Sequence, residues 1–222
     1  MKNKSPDKVK ARLFNIKHLP MDIARILCFS MPMFFRIKKI YVNENAKKKL
    51  KYAGIISANH TCFMDPLLVG SCFWYRRMFF LAAEVVMNKK FTSKLLKGVG
   101  CIKIDRNICD IESIRKSVNV LKNGHLLSLF PTGGINREDD MSAIKSGIIL
   151  MAMQAKAPII PIYIHKKAKR GDRNCIVIGE PITTFESENM PSMSDINNCA
   201  DTVFKKMIEC RELYEKISEE KR

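Results

Sequence analysis

Asn59-His60-Thr61-Cys62-Phe63-Met64-Asp65-Pro66 follows an apolar run with Ala53, Ile55 and Ile56 and precedes another with Leu67, Leu68 and Val69. That order sets a histidine just past a strand and an aspartate just before a helix. Asp65 followed by Pro66 reads as an N-cap and a first helical residue, because a short acceptor satisfies a free helix N–H while proline has none to leave unsatisfied. Residues five apart do not share one face of a continuous helix. A meeting of His60 and Asp65 therefore requires a loop across Thr61 to Met64 that folds the carboxylate back onto the imidazole. The carboxylate would then fix the ring's tautomer and steady the imidazolium formed when the other nitrogen takes a proton, the arrangement of a general base with its orienting group. The plainer alternative is a capped helix beside an ordinary loop histidine, and these two residues alone favour it.

Outward from this stretch, short apolar runs alternate with helical patterns. Strands are predicted over residues 52–58, 78–82, 101–105, 125–130, 159–164 and 175–178, and helices over 66–77, 92–97 and 145–155. Asp110 caps a further predicted helix whose Ile111, Ile114, Val118 and Leu121 share a stripe before Asn123-Gly124 ends it. A last helix, from about Asp195 to Ser218, spaces Ile196, Cys199, Val203, Met207, Cys210 and Tyr214 three or four apart and should pack on the core. Alternation of this kind implies an α/β fold, a mostly parallel or mixed central sheet covered by helices. With 222 residues, 46% of them hydrophobic, the chain supports one good core and is too short for two comfortable domains.

Lys+Arg 39 against Asp+Glu 22 leaves a net charge of +17, which suits a polyanion: nucleic acid, an anionic bilayer or a phosphorylated substrate. The basic clusters carry little of the aromatic interleaving that a base-stacking platform needs, so a bilayer surface fits better and nucleic acid is not expected. Each cation near an anionic leaflet contributes about 1 kcal/mol. Between Leu19 and Ile37 the chain turns apolar, but the uncharged run from Ile26 to Phe35 is half the ~20 residues needed to span a hydrocarbon core. Two readings stay open for it: an amphipathic interfacial segment with Arg25, Arg36, Lys38 and Lys39 at headgroup level, or a helix packed on the core. The eight cysteines include no CxxC pair and no cysteine–histidine spacing of zinc-site type, so no metal is expected. Reduced, mostly core cysteines, together with an N-terminus lacking a cleavable signal pattern, predict a reducing, cytoplasmic-facing location.

Four blocks in order carry a resemblance. His60-Thr-Cys-Phe-Met-Asp65 resembles the histidine, four residues, aspartate signature of the glycerolipid acyltransferases, with the asparagine before and the proline after that often accompany it. Gly100-Cys-Ile-Lys-Ile-Asp105-Arg106 is similar to that family's second block, Phe130-Pro131-Thr132-Gly133-Gly134 to a degraded third and Ala157-Pro158-Ile-Ile-Pro161-Ile162 to the fourth. The resemblance runs from about residue 52 to Ile182 and is nearest to the 1-acylglycerol-3-phosphate (lysophosphatidic acid) acyltransferases. It divides the chain into a basic arm with a membrane-associating segment, residues 1–45, and an acyltransferase domain, residues 46–222.

By resemblance, a fatty acyl group moves from a thioester, acyl-CoA or acyl carrier protein, to the free hydroxyl of lysophosphatidic acid. No cofactor beyond the thioester co-substrate is implied. His60 would deprotonate the hydroxyl and Asp65 would steady the ring's charge; an unperturbed histidine titrates near 6.5, so the base form exists at neutral pH. Cys62, two residues from His60, is a thiol nucleophile only by adjacency, and the family mechanism uses no enzyme thiol. Arg106, with Lys103 beside it, would grip the acceptor phosphate through a charge-assisted bond of about 1.5–3 kcal/mol. Lys145 with Gly147 resembles an anion-favouring Lys-x-Gly helix start.

The third block departs most. Where the family usually has Phe-Pro-Glu-Gly-Thr-Arg, this chain has Phe130-Pro131-Thr132-Gly133-Gly134-Ile135, without the acidic or the basic member. Arg137 would then supply the phosphate contact, or the acceptor is a different lysolipid or alcohol, or activity is weakened. Gly133 and Gly134 permit a tight loop whose N–H groups approach an anion, and suit any sharp turn equally. A third alternative, from another class, is a non-catalytic basic protein that binds membrane or nucleic acid. The expected location is the cytoplasmic side of a membrane, bound peripherally.

Overall fold

A computed structural model describes residues 19–34, 37–83, 87, 90–104, 110–131, 146–165, 174–183 and 192–220. Its strands are β1 (Lys38–Tyr41), β2 (Gly54–Ala58), β3 (Met78–Ala83), β4 (Cys101–Ile104), β5 (Leu126–Leu129), β6 (Ile159–His165) and β7 (Cys175–Ile178). Its helices are α1 (Leu19–Phe34), α2 (Glu44–Lys47), α3 (Asp65–Cys72), α4 (Lys90–Gly98), α5 (Ile111–Lys122), α6 (Ser146–Ala155) and α7 (Met193–Glu219). The strands form one seven-stranded sheet in the order β1-β7-β6-β2-β5-β3-β4. β6, β2, β5, β3 and β4 run parallel to their neighbours, and β7 turns antiparallel to β6 while pairing parallel with β1. This is the mixed α/β sheet that the alternation predicts, in a single domain.

Both faces of the central strands are covered, which is why β2, β5 and β6 are near-continuous apolar runs rather than alternating ones. Ile55, Leu127, Leu129, Ile159 and Tyr163 meet α5, α6 and α7 on one face. On the other, Ile56, Ala58, Leu126, Ile160 and Ile162 meet Leu68, Val69 and Cys72 of α3. In α7 the spaced residues do as expected: Ile196, Val203, Met207 and Cys210 are buried, with Cys199 and Tyr214 packed against them. Ser192 opens that helix with a capping box shared with Asp195.

Several details differ from the expectation. Asp110 does cap α5 by accepting from the Ser113 N–H, but Ile111 stands outside the buried stripe and is 74% exposed. The buried place in that first turn goes to Ser113, whose hydroxyl donates to the Lys103 carbonyl of β4. α3 stops at Cys72 rather than 77, and the chain leaves it in a turn closed by the Arg76 N–H on the Phe73 carbonyl. Arg76 then caps other segments, its guanidinium donating to the carbonyls of Leu50 and Gly124. β6 is an interior strand and carries Pro161 within it. The proline is tolerated because it stands just past the end of β7, where the Gly179 N–H donates to its carbonyl at 2.9 Å. A Cβ on Gly179 would come within 2.7 Å of the Pro161 ring.

α1 joins the domain through a buried ion pair. Arg77 donates twice to Asp22, at 3.0 and 2.8 Å, and Arg25 approaches the same carboxylate at 3.3 Å. Met21 packs beneath Gly100, whose φ of +90° and lack of a side chain both fit that crowded turn. The opposite side of α1 leaves Leu19, Ile23, Ile26, Leu27 and Phe29 exposed. The packing reading holds for one edge of α1, and Arg25, expected at headgroup level, is instead turned to Asp22; an apolar face of the helix stays exposed among the described residues. No helix among them is long and apolar enough to cross a membrane.

Candidate active site

The loop between β2 and α3 is anchored at its first residue. Asn59, buried at the end of β2, donates its amide to the Ile164 carbonyl at 3.0 Å and accepts the Ile164 N–H at 2.7 Å. The side chain thereby continues the β2–β6 pairing one step beyond the strand and fixes where His60 begins. Sequence reasoning assigned no role to Asn59; its place between an apolar strand and a histidine was the available signal.

His60 and Asp65 meet. The imidazole Nδ1 lies 3.0 Å from Asp65 Oδ2, with the carboxylate fully buried and 13% of the imidazole side chain exposed. The predicted N-cap role of Asp65 is corrected. Met64 occupies the N-cap position without a side-chain bond, and Asp65 is the first helical residue, followed by Pro66. Its carboxylate points back into the loop, where Oδ2 also accepts the N–H groups of Thr61 and Cys62, both at 2.7 Å. Oδ1 accepts the Cys62 thiol at 3.2 Å. Burial by itself raises the Asp65 carboxyl, but the bonds from His60, Cys62 and Thr61 outweigh it and hold the group below its ordinary value. The anion is therefore kept beside the ring at neutral pH. A thiol that spends its proton on a buried carboxylate is poorly placed as a nucleophile, which argues against Cys62 in that role.

The imidazole has a second neighbour that the sequence reading missed. Phe130, directly after β5, stacks on it with centroids 4.1 Å apart and planes at 20°. The register explains the meeting: Ser57 pairs with Leu129, so β2 and β5 end within one residue of each other, while β6 runs past them to His165. β3 and β4 end at the same side, Ala83 opposite Ile104. The first block and the described ends of the second and third, Ile104 and Phe130-Pro131, therefore lie on one carboxyl rim, the usual place for chemistry in an open α/β sheet, while the fourth block opens β6 at the other end, Ile159 opposite Ile55. Lys103 lies on that rim but three strands from β2, about 14 Å away at ~4.8 Å per strand, and its side chain is exposed. It is not brought beside His60. Arg106, Thr132, Gly133, Gly134, Arg137 and Lys145 lie outside the described residues.

The described cysteines are free thiols: Cys72, Cys175 and Cys210 are buried, while Cys28, Cys62, Cys101 and Cys199 are half-buried. Burial pushes Cys72 and Cys101 up to about 11 and Cys210 up to about 12, so these are packing residues rather than reactive ones. Among the described residues no cluster of three or more His, Cys, Asp or Glu is arranged to hold a metal.

An imidazole in contact with a buried carboxylate at the strand ends of a mixed sheet is an arrangement that can take and pass a proton, as sites of α/β enzymes do. Residues 39–165 match the acyltransferase family model, and the chain belongs to that family and is an O-acyltransferase. It is 24% identical over 159 residues to the 1-acyl-sn-glycerol-3-phosphate acyltransferase of Bacillus subtilis (strain 168), covering 69% of this chain and 78% of that one. With a probable 1-acyl-sn-glycerol-3-phosphate acyltransferase of Mycoplasma pneumoniae it shares 26% over 185 residues, 73% of this chain and 68% of the other. The fold is that of the 1-acyl-sn-glycerophosphate (LPA) acyltransferase PlsC from Thermotoga maritima: TM-score 0.62 at 17% identity, over 87% of this chain and 79% of that one.

Proposed function

We propose that this acyltransferase moves a fatty acyl group from acyl-CoA or acyl carrier protein to the free hydroxyl of lysophosphatidic acid, giving phosphatidic acid. The observation that carries the reading is the 3.0 Å contact of His60 with the buried Asp65 carboxylate. The names of the similar proteins support the choice of acceptor. In this mechanism neutral His60 donates Nδ1–H to Asp65 and takes the acceptor's hydroxyl proton at Nε2 as the oxygen attacks the thioester carbonyl. A C–O bond forms, the C–S bond breaks, and the proton passes from the imidazolium to the departing thiolate. The steps balance without an enzyme thiol, a metal or a resident cofactor.

Arg106, Arg137 and Lys145 are the proposed phosphate contacts, with N–H groups about Thr132, Gly133 and Gly134; Lys103 is too far along the rim to act at His60 and would serve only an extended headgroup. α1 would rest on the cytoplasmic leaflet. Its exposed Leu19, Ile23, Ile26, Leu27 and Phe29 support this, as do exposed Phe63, Leu67 and Trp74, with Phe29 and Trp74 rings 4.6 Å apart. A second reading, another lysolipid or alcohol as acceptor, is favoured by one observation: Thr132 and Ile135 stand where the family usually has its acidic and basic residues.

Purified protein with an acyl thioester and lysophosphatidic acid should form phosphatidic acid, and a folded His60→Ala variant should not. Product from that variant would reject the base. In a mixture of lysolipids, preferential consumption of another acceptor would replace the first reading by the second.

A further inference from the structure

We infer that Phe130 is a positioning residue for the acyl transfer: its ring face sets the plane of the His60 imidazole. The inference rests on the reading of His60 as the base. Asp65 touches the imidazole at one atom, Nδ1, and a single contact at 3.0 Å leaves the ring free to tilt about that point. Tilt swings Nε2, the atom that must meet the acceptor hydroxyl. A flat partner at 4.1 Å and 20° removes this freedom, because a face restrains the whole ring where a hydrogen bond restrains one edge.

Phe130 is well placed to be that partner. It follows Leu129, which pairs with Ser57, so it lies level with Ala58 and on the same sheet face as His60 two residues further on. The ring itself packs, half-buried, against the hydrophobic cluster on the α3 side of the sheet, which backs it. The base is thus held from three elements: Asn59, bonded to Ile164 of β6, sets the backbone, Asp65 of α3 sets the edge, and Phe130, just past β5, sets the face.

The test compares Phe130→Leu, which keeps apolar bulk without a ring, with Phe130→Tyr, which keeps the ring. The leucine variant should lose roughly ten- to a hundredfold in kcat, since misplacement of about 1 Å costs up to 10²-fold, with KM for both substrates little changed. The tyrosine variant should recover most of that rate. In the wild-type protein the carbon-bound ring protons of His60 should be shifted upfield in NMR spectra by the ring current, a reading that needs no variant to fold. Wild-type kcat in a folded leucine variant, a raised KM at unchanged kcat, or unshifted His60 protons would each overturn the inference. His60→Ala is assayed alongside. If it is dead while Phe130→Leu is fully active, only the positioning role fails; if it is active, the base reading fails first.

Discussion

Replacing Asp65 by asparagine removes one charge from a site whose hydrogen bonds dictate how the new side chain must sit. Oδ2 takes three donors: the imidazole at 3.0 Å and the N–H groups of Thr61 and Cys62 at 2.7 Å. An amide NH2 in that position would face two backbone donors that cannot change their roles, so the amide oxygen must occupy it. The NH2 is then directed at the Cys62 sulfur, and His60 keeps Nδ1–H. Where such an amide turns and forces the wrong tautomer the loss reaches about 10⁴ in kcat. Here the tautomer survives and only the anion beside the developing imidazolium is lost, a loss of about 10²–10³, or roughly 2.7–4 kcal/mol. Release of the CoA thiol under saturating lysophosphatidic acid measures it. A folded variant within about threefold of wild type, well under 1 kcal/mol, would remove Asp65 from the chemistry. A loss of about 10⁴ or more would refute the argument from the backbone donors. The same carboxyl sets an acid limb of stability. Its folded value lies below the ordinary 3.8, so the unfolded chain takes up the proton first. Its contribution is full above about pH 4 and fades as pH falls through the folded value. The stability gap between wild type and Asp65→Asn, read from urea midpoints, should therefore narrow on moving from pH 7 to pH 3.

Three further outcomes follow from named contacts. Arg77→Ala removes the bidentate partner of the buried Asp22 carboxylate, leaving Arg25 at 3.3 Å, and should cost up to about 3–5 kcal/mol, a fall in Tm of up to roughly 6–20 °C for a chain of this length. The paired change Asp22→Leu with Arg77→Met should recover much of it, and equal instability of the two proteins would show that the ion pair is not the cause. Cys62→Ala removes the thiol from Asp65 Oδ1 and should slow turnover by up to about tenfold, about 1.4 kcal/mol, while Cys62→Ser restores it; failure of serine to do so would point to packing instead. On α1, Ile26→Glu with Leu27→Glu should leave thermal stability within about 0.5 kcal/mol, because both side chains are exposed. Sedimentation with anionic vesicles should weaken by tenfold or more, since each apolar group withdrawn forfeits about 1.5–3 kcal/mol of burial. Unchanged sedimentation would take α1 out of the membrane contact.

Local chemistry made much of this chain legible without coordinates. The Asp110 cap, the α7 stripe, and the apolar runs of β2, β5 and β6 each depend on neighbours within a few residues; the return of Asp65 toward His60 was expected only through the resemblance, since the two residues alone favoured a capped helix beside an ordinary loop histidine. What Asp65 does there was not legible, because a carboxylate before a proline satisfies the rules for an N-cap and only the folded loop shows its oxygens turned to Thr61 and Cys62 instead. Ile111 fitted the helical period yet stays in water, since period states which residues share a face and not how far the neighbouring strand extends beneath them. The pairings across long stretches of chain belong to the tertiary structure alone: Asp22 with Arg77, Asn59 with Ile164, Phe130 against His60. Sequence carries the energy of local turns and faces. Which distant groups meet is decided by the strand order, β5 and β6 flanking β2, and that order is a property of the packed sheet as a whole.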